Sequence, residues 1–217
     1  MDELQLVIFD CDGVLVDSEV ISNEVLAQAL TAEGLPTTLA ESRSRYQGLL
    51  LDDVVTLAEA QLGGALPGNF LKRYEQARSE AFRRELAPVP FAAEAVRRID
   101  EAGLAKCVAS QGKLEKTKLS LELTGLRDLF AAEELFSAYS VPRGKPYPDL
   151  FLHAAATMQV EPSRSVVVED SPSGVAAGVA AGMRVFGYIA DSDEVALREE
   201  GAEILRSMEE LPGLLGL

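Results

Sequence analysis

Four short, continuous apolar runs constrain the fold of this chain more than any other feature. They are rich in Val, Ile and Phe, and they read LQLVIF (4–9), AKCVAS (105–110), SVVVED (165–170) and RVFGYI (184–189). Uninterrupted apolar strands are typical of parallel sheets that are covered on both faces. Helical patterns lie between the later runs, and two of these helices stop at a glycine, Gly103 and Gly182. The alternation predicts a doubly wound α/β core around a parallel, Rossmann-like sheet.

Residues 17–86 break this alternation. They contain helical patterns over 18–34, 51–63 and 68–86 and no convincing strand, and the proline-rich segment APVP follows at 87–90. We therefore expect a core formed by residues 1–16 and 87–217, with residues 17–86 as an inserted helical domain. Such an insertion would lie over the carboxyl end of the first strand, where open parallel sheets bind their ligands.

The charge of the chain limits its partners. It has 35 acidic residues against 20 Lys and Arg, and the formal net charge of −15 opposes binding to nucleic acid and to anionic membranes. The start, MDELQLVIFD, has no basic segment, and no stretch approaches the ~18 apolar residues of a membrane span. We expect a cytoplasmic protein without a nucleic-acid or membrane partner, and a monomer, with a dimer left open.

Cysteine and histidine are scarce, which excludes several kinds of chemistry. Cys11 and Cys107 lie inside apolar runs, so we expect buried free thiols. His153 is the single histidine and lies on a helical pattern, where a role in the core or on the helix surface is expected. A Ser-His-Asp triad or a multi-histidine metal site would depend on this one residue, and both are disfavoured.

Two of the apolar runs end on paired carboxylates. Asp10 and Asp12 follow the first run in IFDCDG, and Glu169 and Asp170 end the run at 165–170. Because parallel strands end at one edge of the sheet, both pairs would lie there, and a cation such as Mg²⁺ would offset their mutual repulsion. The alternative is structural, with Asp residues capping the loop or helix that follows.

Two further residues could bind an anion at the same edge. Ser110 ends the run at 105–110 and precedes a helix whose first amides attract anions. Lys145 lies in RGKPYPD between a glycine and a proline, just before another helix. A lysine in such a fixed loop could point inward at a phosphate, although a solvated surface charge is the alternative.

Taken in order, these segments resemble the four motifs of haloacid dehalogenase superfamily phosphohydrolases. The segments are DCDGVLVDSE, Ser110, GKPYPD and VVVEDSPSG. The helical insertion resembles the cap of the β-phosphoglucomutase-like branch, and the closing GAEILRSMEELPGLL resembles the family's last strand and terminal helix. The resemblance covers essentially the whole chain. It implies a phosphoric monoester hydrolase, most similar to sugar-phosphate phosphatases such as those acting on 6-phosphogluconate.

The resemblance also implies a role for each matching residue. Asp10 would attack phosphorus to form an aspartyl-phosphate, and Asp12 would protonate the leaving alkoxide and then activate water. Ser110, Gln111 and Lys145 would hold the phosphoryl oxygens of a small phosphorylated metabolite.

Magnesium is the cofactor that the resemblance implies. Asp10, Asp170 and the backbone carbonyl of Asp12 would bind it, and Glu169 would be either a ligand or a support for the ligands.

Three reactions or roles compete within this family. Asp12 argues against a dehalogenase, because a departing halide needs no proton. A phosphosugar mutase is the main alternative, although Ser22 stands where β-phosphoglucomutase has a cap histidine. A non-catalytic phosphosugar-binding protein is a more distant alternative, since such a protein would be expected to have lost one of the acidic or lysine residues of the motifs.

Substrate choice would depend on the inserted domain. The segment RYQG (45–48) resembles the substrate loop of the family. The candidates for contacting the leaving group are Arg43, Arg45, Gln47 and Gly48. Gln47 stands where a basic residue is frequent among sugar-acid phosphatases, and ordinary solvated helix-end polarity is the alternative for the whole segment.

Overall fold

One parallel sheet of six strands lies at the centre of the structure, a computed structural model that describes residues 3–189 and 192–217. In chain order the strands are β1 (Leu6–Phe9), β2 (Ala105–Ser110), β3 (Leu135–Ser137), β4 (Ser165–Glu169), β5 (Arg184–Tyr188) and β6 (Glu203–Leu205). Their order in the sheet is β3-β2-β1-β4-β5-β6, so the direction of winding reverses beside β1. This order confirms the doubly wound, Rossmann-like core, and it places the expected ligand crevice at the carboxyl end of β1.

Each of the four apolar runs contains a strand, and every residue of β1 and β4 is buried. The strand β6 lies in the segment that resembles the family's last strand. Strand β3 was not predicted, because it is only three residues long and too short to show a period.

Helices connect the strands and form the insertion. In chain order they are α1 (Glu19–Ala32), α2 (Leu39–Tyr46), α3 (Leu51–Leu62), α4 (Phe70–Glu85), α5 (Ala92–Glu101), α6 (Leu114–Leu123), α7 (Asp149–Thr157), α8 (Pro172–Ala180), α9 (Glu194–Glu199) and α10 (Leu211–Leu215). In the core, α7 packs on β1, β2 and β3, and α8 packs on β4 and β5. Across the described ranges, no helix has both the length and the apolar character needed to cross a membrane.

The chain divides into two units. One contains the chain up to Asp17 together with Pro88–Leu217, and the other is Ser18–Ala87. The boundaries expected from the sequence, after residues 16 and 86, lie one residue earlier. The function of the inserted unit as a cap stays a prediction.

The inserted unit has a hydrophobic core of its own, built from α1 to α4 and including Leu30, Tyr46, Val54 and Phe70. Helix α2 was not predicted, because most of its residues are polar. A local signal was nevertheless present, since Thr38 and the helix residue Glu41 form a capping box at its start.

The two thiols and the histidine lie where the sequence pattern predicted. Cys11 and Cys107 are free and buried, and burial raises the pKa of both thiols. His153 lies exposed on α7 and packs edge-to-face on Phe136, with 5.6 Å between ring centroids.

Candidate active site

The register of the sheet brings Asp10 between two neighbouring strands. Phe9, the last residue of β1, lies beside Val108 of β2 and Val168 of β4. Asp10 follows at the level of Glu169, and its amide donates to the carbonyl of Val168 at 2.9 Å. The predicted meeting of these carboxylates at one edge therefore follows directly from strand pairing.

Lys145 joins the two strand ends by its ammonium group. Its Nζ lies 2.5 Å from Oδ1 of Asp10 and 2.6 Å from Oε1 of Glu169, and it donates to the carbonyl of Ala109 at 3.1 Å. The Lys145 side chain is 3% exposed, and Nζ lies 5.1 Å from the ring centroid of Phe151. A solvated surface charge, the alternative left open above, is therefore wrong for Lys145.

Glu169 is held by protein groups at both of its oxygens. Its Oε2 accepts from the amides of Asp170 and Ser171 and from Oγ of Ser171, each at 2.9 Å. The carboxylate fills the space beside Gly174 in the first turn of α8, where a Cβ would lie 1.8 Å from Oε1. These contacts favour the supporting role for Glu169 over direct metal ligation.

Asp170 lies against the backbone of the turn that follows Asp10. Gly13 in this turn has φ +74°, and a Cβ there would lie 2.2 Å from Oδ2 of Asp170. Glycine is thus required both by the left-handed backbone and by the close approach of the carboxylate. Asp170 is 8% exposed, so its carboxyl group lies beside Gly13 with little water around it.

Asp12 contacts β2 and the helix after it. Its Oδ2 lies 3.5 Å from Oγ of Ser110, which accepts from the amide of Gly112 at 3.0 Å. Its Oδ1 forms an ion pair with Nζ of Lys116, on the first turn of α6. Lys116, one of the lysines of GKLEKTKLS, was not among the predicted site residues. Its place in the turn directly after Ser110 was the available signal, because helical side chains point back toward the N-terminus.

Gln111 contacts the lysine loop. Its Oε1 accepts from the amide of Lys145 at 3.0 Å, and its Nε2 donates to the carbonyl of the same residue at 3.3 Å. Its predicted contact with a phosphoryl oxygen stays a prediction.

Burial dominates the electrostatics of the site. It raises the pKa of Asp10 to about 7; Lys145 opposes this effect, and the charges of Glu169 and Asp12 add to it. Burial alone would lower the pKa of the Lys145 ammonium, but the carboxylates of Asp10 and Glu169 outweigh it and raise that pKa. Lys145 is therefore charged at neutral pH, and its ammonium group is shared by Asp10 and Glu169.

The donor set fits a divalent cation. In this site Lys145 pairs with Asp10 and Glu169, and Lys116 pairs with Asp12. The Asp170 carboxyl group lies beside Gly13, in the turn after Asp10. Within residues 3–189 and 192–217, no three acidic, cysteine or histidine side chains cluster tightly enough to bind a metal alone. The predicted set needs only the two carboxylates of Asp10 and Asp170 with the Asp12 carbonyl, and oxygen donors of this kind suit Mg²⁺.

The substrate candidates of the inserted unit lie at the end of α2 and just after it. Nε of Arg43 donates to Oε1 of Gln47 at 3.4 Å, and Arg45 donates to Oε1 of Gln61 at 3.0 Å. Gly48 follows with φ +77°. The guanidinium groups thus make local contacts within the unit, and their role toward a substrate stays a prediction.

Comparison with known proteins gives a consistent result. The model of the family described as haloacid dehalogenase-like hydrolases matches residues 4–182. The chain is 30% identical to 6-phosphogluconate phosphatase of Escherichia coli K12 over 99% of this chain and 96% of that protein. It is 34% identical to hexitol phosphatase B of the same strain over 82% and 80% of the two chains. The structure also superposes on a hydrolase of the same family from Deinococcus radiodurans R1, which was solved with bound phosphate and sodium. The TM-score is 0.79 at 33% sequence identity, over 100% of this chain and 96% of that chain.

Proposed function

This chain belongs to the haloacid dehalogenase-like hydrolases, and we propose that it is a magnesium-dependent phosphatase of small sugar phosphates that works through an aspartyl-phosphate. One observation carries the proposal: a buried lysine pairs with the Asp10 carboxylate at the end of β1, beside Asp12 and Ser110. Such an arrangement favours the ionised form of a nucleophile and places cationic groups near an anionic substrate.

Asp10 and Asp12 carry the first step. Oδ1 of Asp10 is the oxygen held by Lys145, so we assign the attack on phosphorus to Oδ2. The new P–O bond forms as the bond to the leaving oxygen breaks, and a protonated Asp12 transfers its proton to that oxygen. The products of this step are the free alcohol and phosphorylated Asp10.

The second step returns the enzyme to its starting state. Asp12, now ionised, takes a proton from water, and the oxygen of that water attacks the phosphorus. The bond between phosphorus and Asp10 breaks, which releases inorganic phosphate and the Asp10 carboxylate. Asp12 thus ends the cycle protonated, ready for the next alcohol.

Positive charge around the phosphoryl group comes from this chain and from its cofactor. Lys145 and Ser110 donate to the phosphoryl oxygens, and Lys116 holds the Asp12 carboxylate toward the same space. Bound Mg²⁺ would be held by Asp10, Asp170 and the Asp12 carbonyl, and it would reduce the repulsion between the nucleophile and the anionic substrate.

The names of the relatives support the substrate class. Both matched phosphatases are named for phosphorylated sugar derivatives, one for 6-phosphogluconate and the other for hexitol phosphates. In our proposal the inserted unit is a cap, and Arg43, Arg45, Gln47 and Gly48 contact the leaving group. Long polar side chains beside a glycine suit a hydroxylated metabolite.

The test is a panel of phosphorylated sugars, sugar acids and sugar alcohols, assayed with Mg²⁺ and with a chelator. Both free phosphate and isomerised phosphosugar are measured, and Asp10→Asn is the inactive control. The proposal expects chelator-sensitive phosphate release with a few preferred substrates. Isomerised product with little free phosphate would instead identify a mutase, and no turnover of any substrate would contradict an enzymatic function.

A further inference from the structure

The carboxamide of Gln111 forms hydrogen bonds with both the backbone amide and the backbone carbonyl of Lys145. We propose that Gln111 is a positioning residue, which places the Lys145 ammonium between Asp10 and Glu169, and that its side chain does not bind the substrate phosphate. The inference rests on the proposed function for its catalytic consequence. Its structural part concerns only how the lysine loop is held.

The two hydrogen bonds specify both the residue type and its orientation. The carboxamide of Gln111 accepts from the amide of Lys145 at 3.0 Å and donates to its carbonyl at 3.3 Å. Only a side chain with an acceptor and a donor at this reach makes both contacts. Glutamate would lose the donor, methionine would lose both groups, and asparagine is one methylene shorter.

The chain leaves room for this contact at the neighbouring residue. A Cβ at Gly144 would lie 2.9 Å from both Oε1 and Nε2 of Gln111 and 3.2 Å from Cδ. A side chain at 144 would therefore displace the carboxamide from the loop. Gly144 is not among the residues with positive φ, so its lack of a side chain, and not an unusual backbone, is what the contact requires.

The carboxyl end of β2 also binds the side-chain ammonium group of Lys145. The carbonyl of Ala109 accepts from Nζ of Lys145 at 3.1 Å, two residues before Gln111. Both the main chain and the ammonium of Lys145 are thus fixed relative to one strand end. Because misplacing a catalytic group by about 1 Å can cost about 10²-fold in rate, loss of the Gln111 contact should be visible in kinetics.

Three variants test the inference with a readout besides turnover. Gln111→Met, Lys145→Ala and the double variant are compared with the wild type for kcat and for the Kd of inorganic phosphate, by calorimetry with Mg²⁺. We expect Gln111→Met to lower kcat by about 10- to 100-fold and to weaken phosphate binding. In the Lys145→Ala background, Gln111→Met should change kcat and the Kd of phosphate by less than about twofold, because the effects of residues that act through one another are not additive. Gln159→Met, at an exposed position of the same unit, is the control.

Two results would overturn the inference. One is wild-type kcat and phosphate affinity in Gln111→Met. The other is an equal loss in the presence and absence of Lys145, which is the behaviour of a direct phosphate ligand.

Gly144→Ala keeps the inference testable if Lys145→Ala fails to fold. This change deletes no polar group but displaces the Gln111 side chain, so it should reproduce the losses of Gln111→Met. Unchanged phosphate affinity in Gly144→Ala would contradict the positioning role. Phosphate binding also separates the two proposals: a wild type that binds phosphate and turns over no substrate refutes the proposed function, while the variants still decide the role of Gln111.

Discussion

We expect Gly174→Ala to destabilise the protein strongly, although alanine in place of glycine within a helix usually stabilises by up to about 1 kcal/mol. A Cβ at position 174 would lie 1.8 Å from Oε1 and 1.9 Å from Cδ of Glu169. The buried carboxylate would have to move. It would then lose its 2.6 Å contact with Lys145 and the hydrogen bonds from the amide and hydroxyl of Ser171.

The size of the effect follows from those lost contacts. Breaking a buried ion pair by removing one partner costs about 3–5 kcal/mol. For a chain of this length, each kcal/mol lowers the Tm by about 2–4 °C. We therefore expect the Tm of Gly174→Ala to fall by roughly 6–20 °C, a large share of a typical total stability of about 5–15 kcal/mol.

A double-mutant cycle measures this coupling. Thermal and urea unfolding are followed by circular dichroism for the wild type, Gly174→Ala, Glu169→Ala and the double variant, in chelator. Gly213→Ala is the control, because a Cβ there would meet nothing within 4 Å. In the Glu169→Ala background, Gly174→Ala should be neutral or slightly stabilising. Equal destabilisation in both backgrounds would refute the reasoning, since the cost would then not arise from Glu169.

Three further predictions concern stability, metal binding and proton transfer. Gln159→Gly should stabilise the protein by about 1 kcal/mol in urea unfolding, because Gln159 follows α7 with φ +59°, a left-handed backbone conformation that favours glycine. Gly182→Ala, at φ +76° after α8, should destabilise the protein for the same reason. A loss of stability in Gln159→Gly would contradict this argument. The pKa of Asp10 is raised to about 7, so the proton competes with the metal at lower pH. The Mg²⁺ affinity from calorimetry should therefore fall by about tenfold per pH unit below 7, and a flat profile would count against Asp10 as a ligand. Lys116→Met should slow hydrolysis of alkyl phosphates more than hydrolysis of p-nitrophenyl phosphate, by up to about 10²-fold. Lys116 holds the Asp12 carboxyl group, and only an alkoxide leaving group depends strongly on the proton from Asp12. Equal losses with both substrates would assign Lys116 another role.

The sequence predicted those parts of the site that depend on local signals. Asp10 and Glu169 end buried strands, and parallel pairing alone brings strand ends together, so their meeting needed no knowledge of side-chain directions. Lys116 and the Gln111 contact depend on how a helix begins and how a loop folds back onto a strand. Neither has a period that a sequence displays. The same limit explains why the three-residue β3 and the polar helix α2 were missed.

The arrangement of charge in this site explains why so many carboxylates can be buried together. Lys145 lies between Asp10 and Glu169, and the amides at the start of α8 hold the second oxygen of Glu169, so one lysine and one helix start stabilise two buried anions. Asp10 receives only part of this compensation, because Lys145 is shared, and its pKa is raised by burial as a result. With more positive charge beside it, the Asp10 carboxylate would be a weaker nucleophile. With less positive charge beside it, Asp10 would carry a proton at neutral pH. The shared lysine therefore leaves Asp10 near the point where a bound cation decides its ionisation, which links the chemistry of the site to cofactor binding.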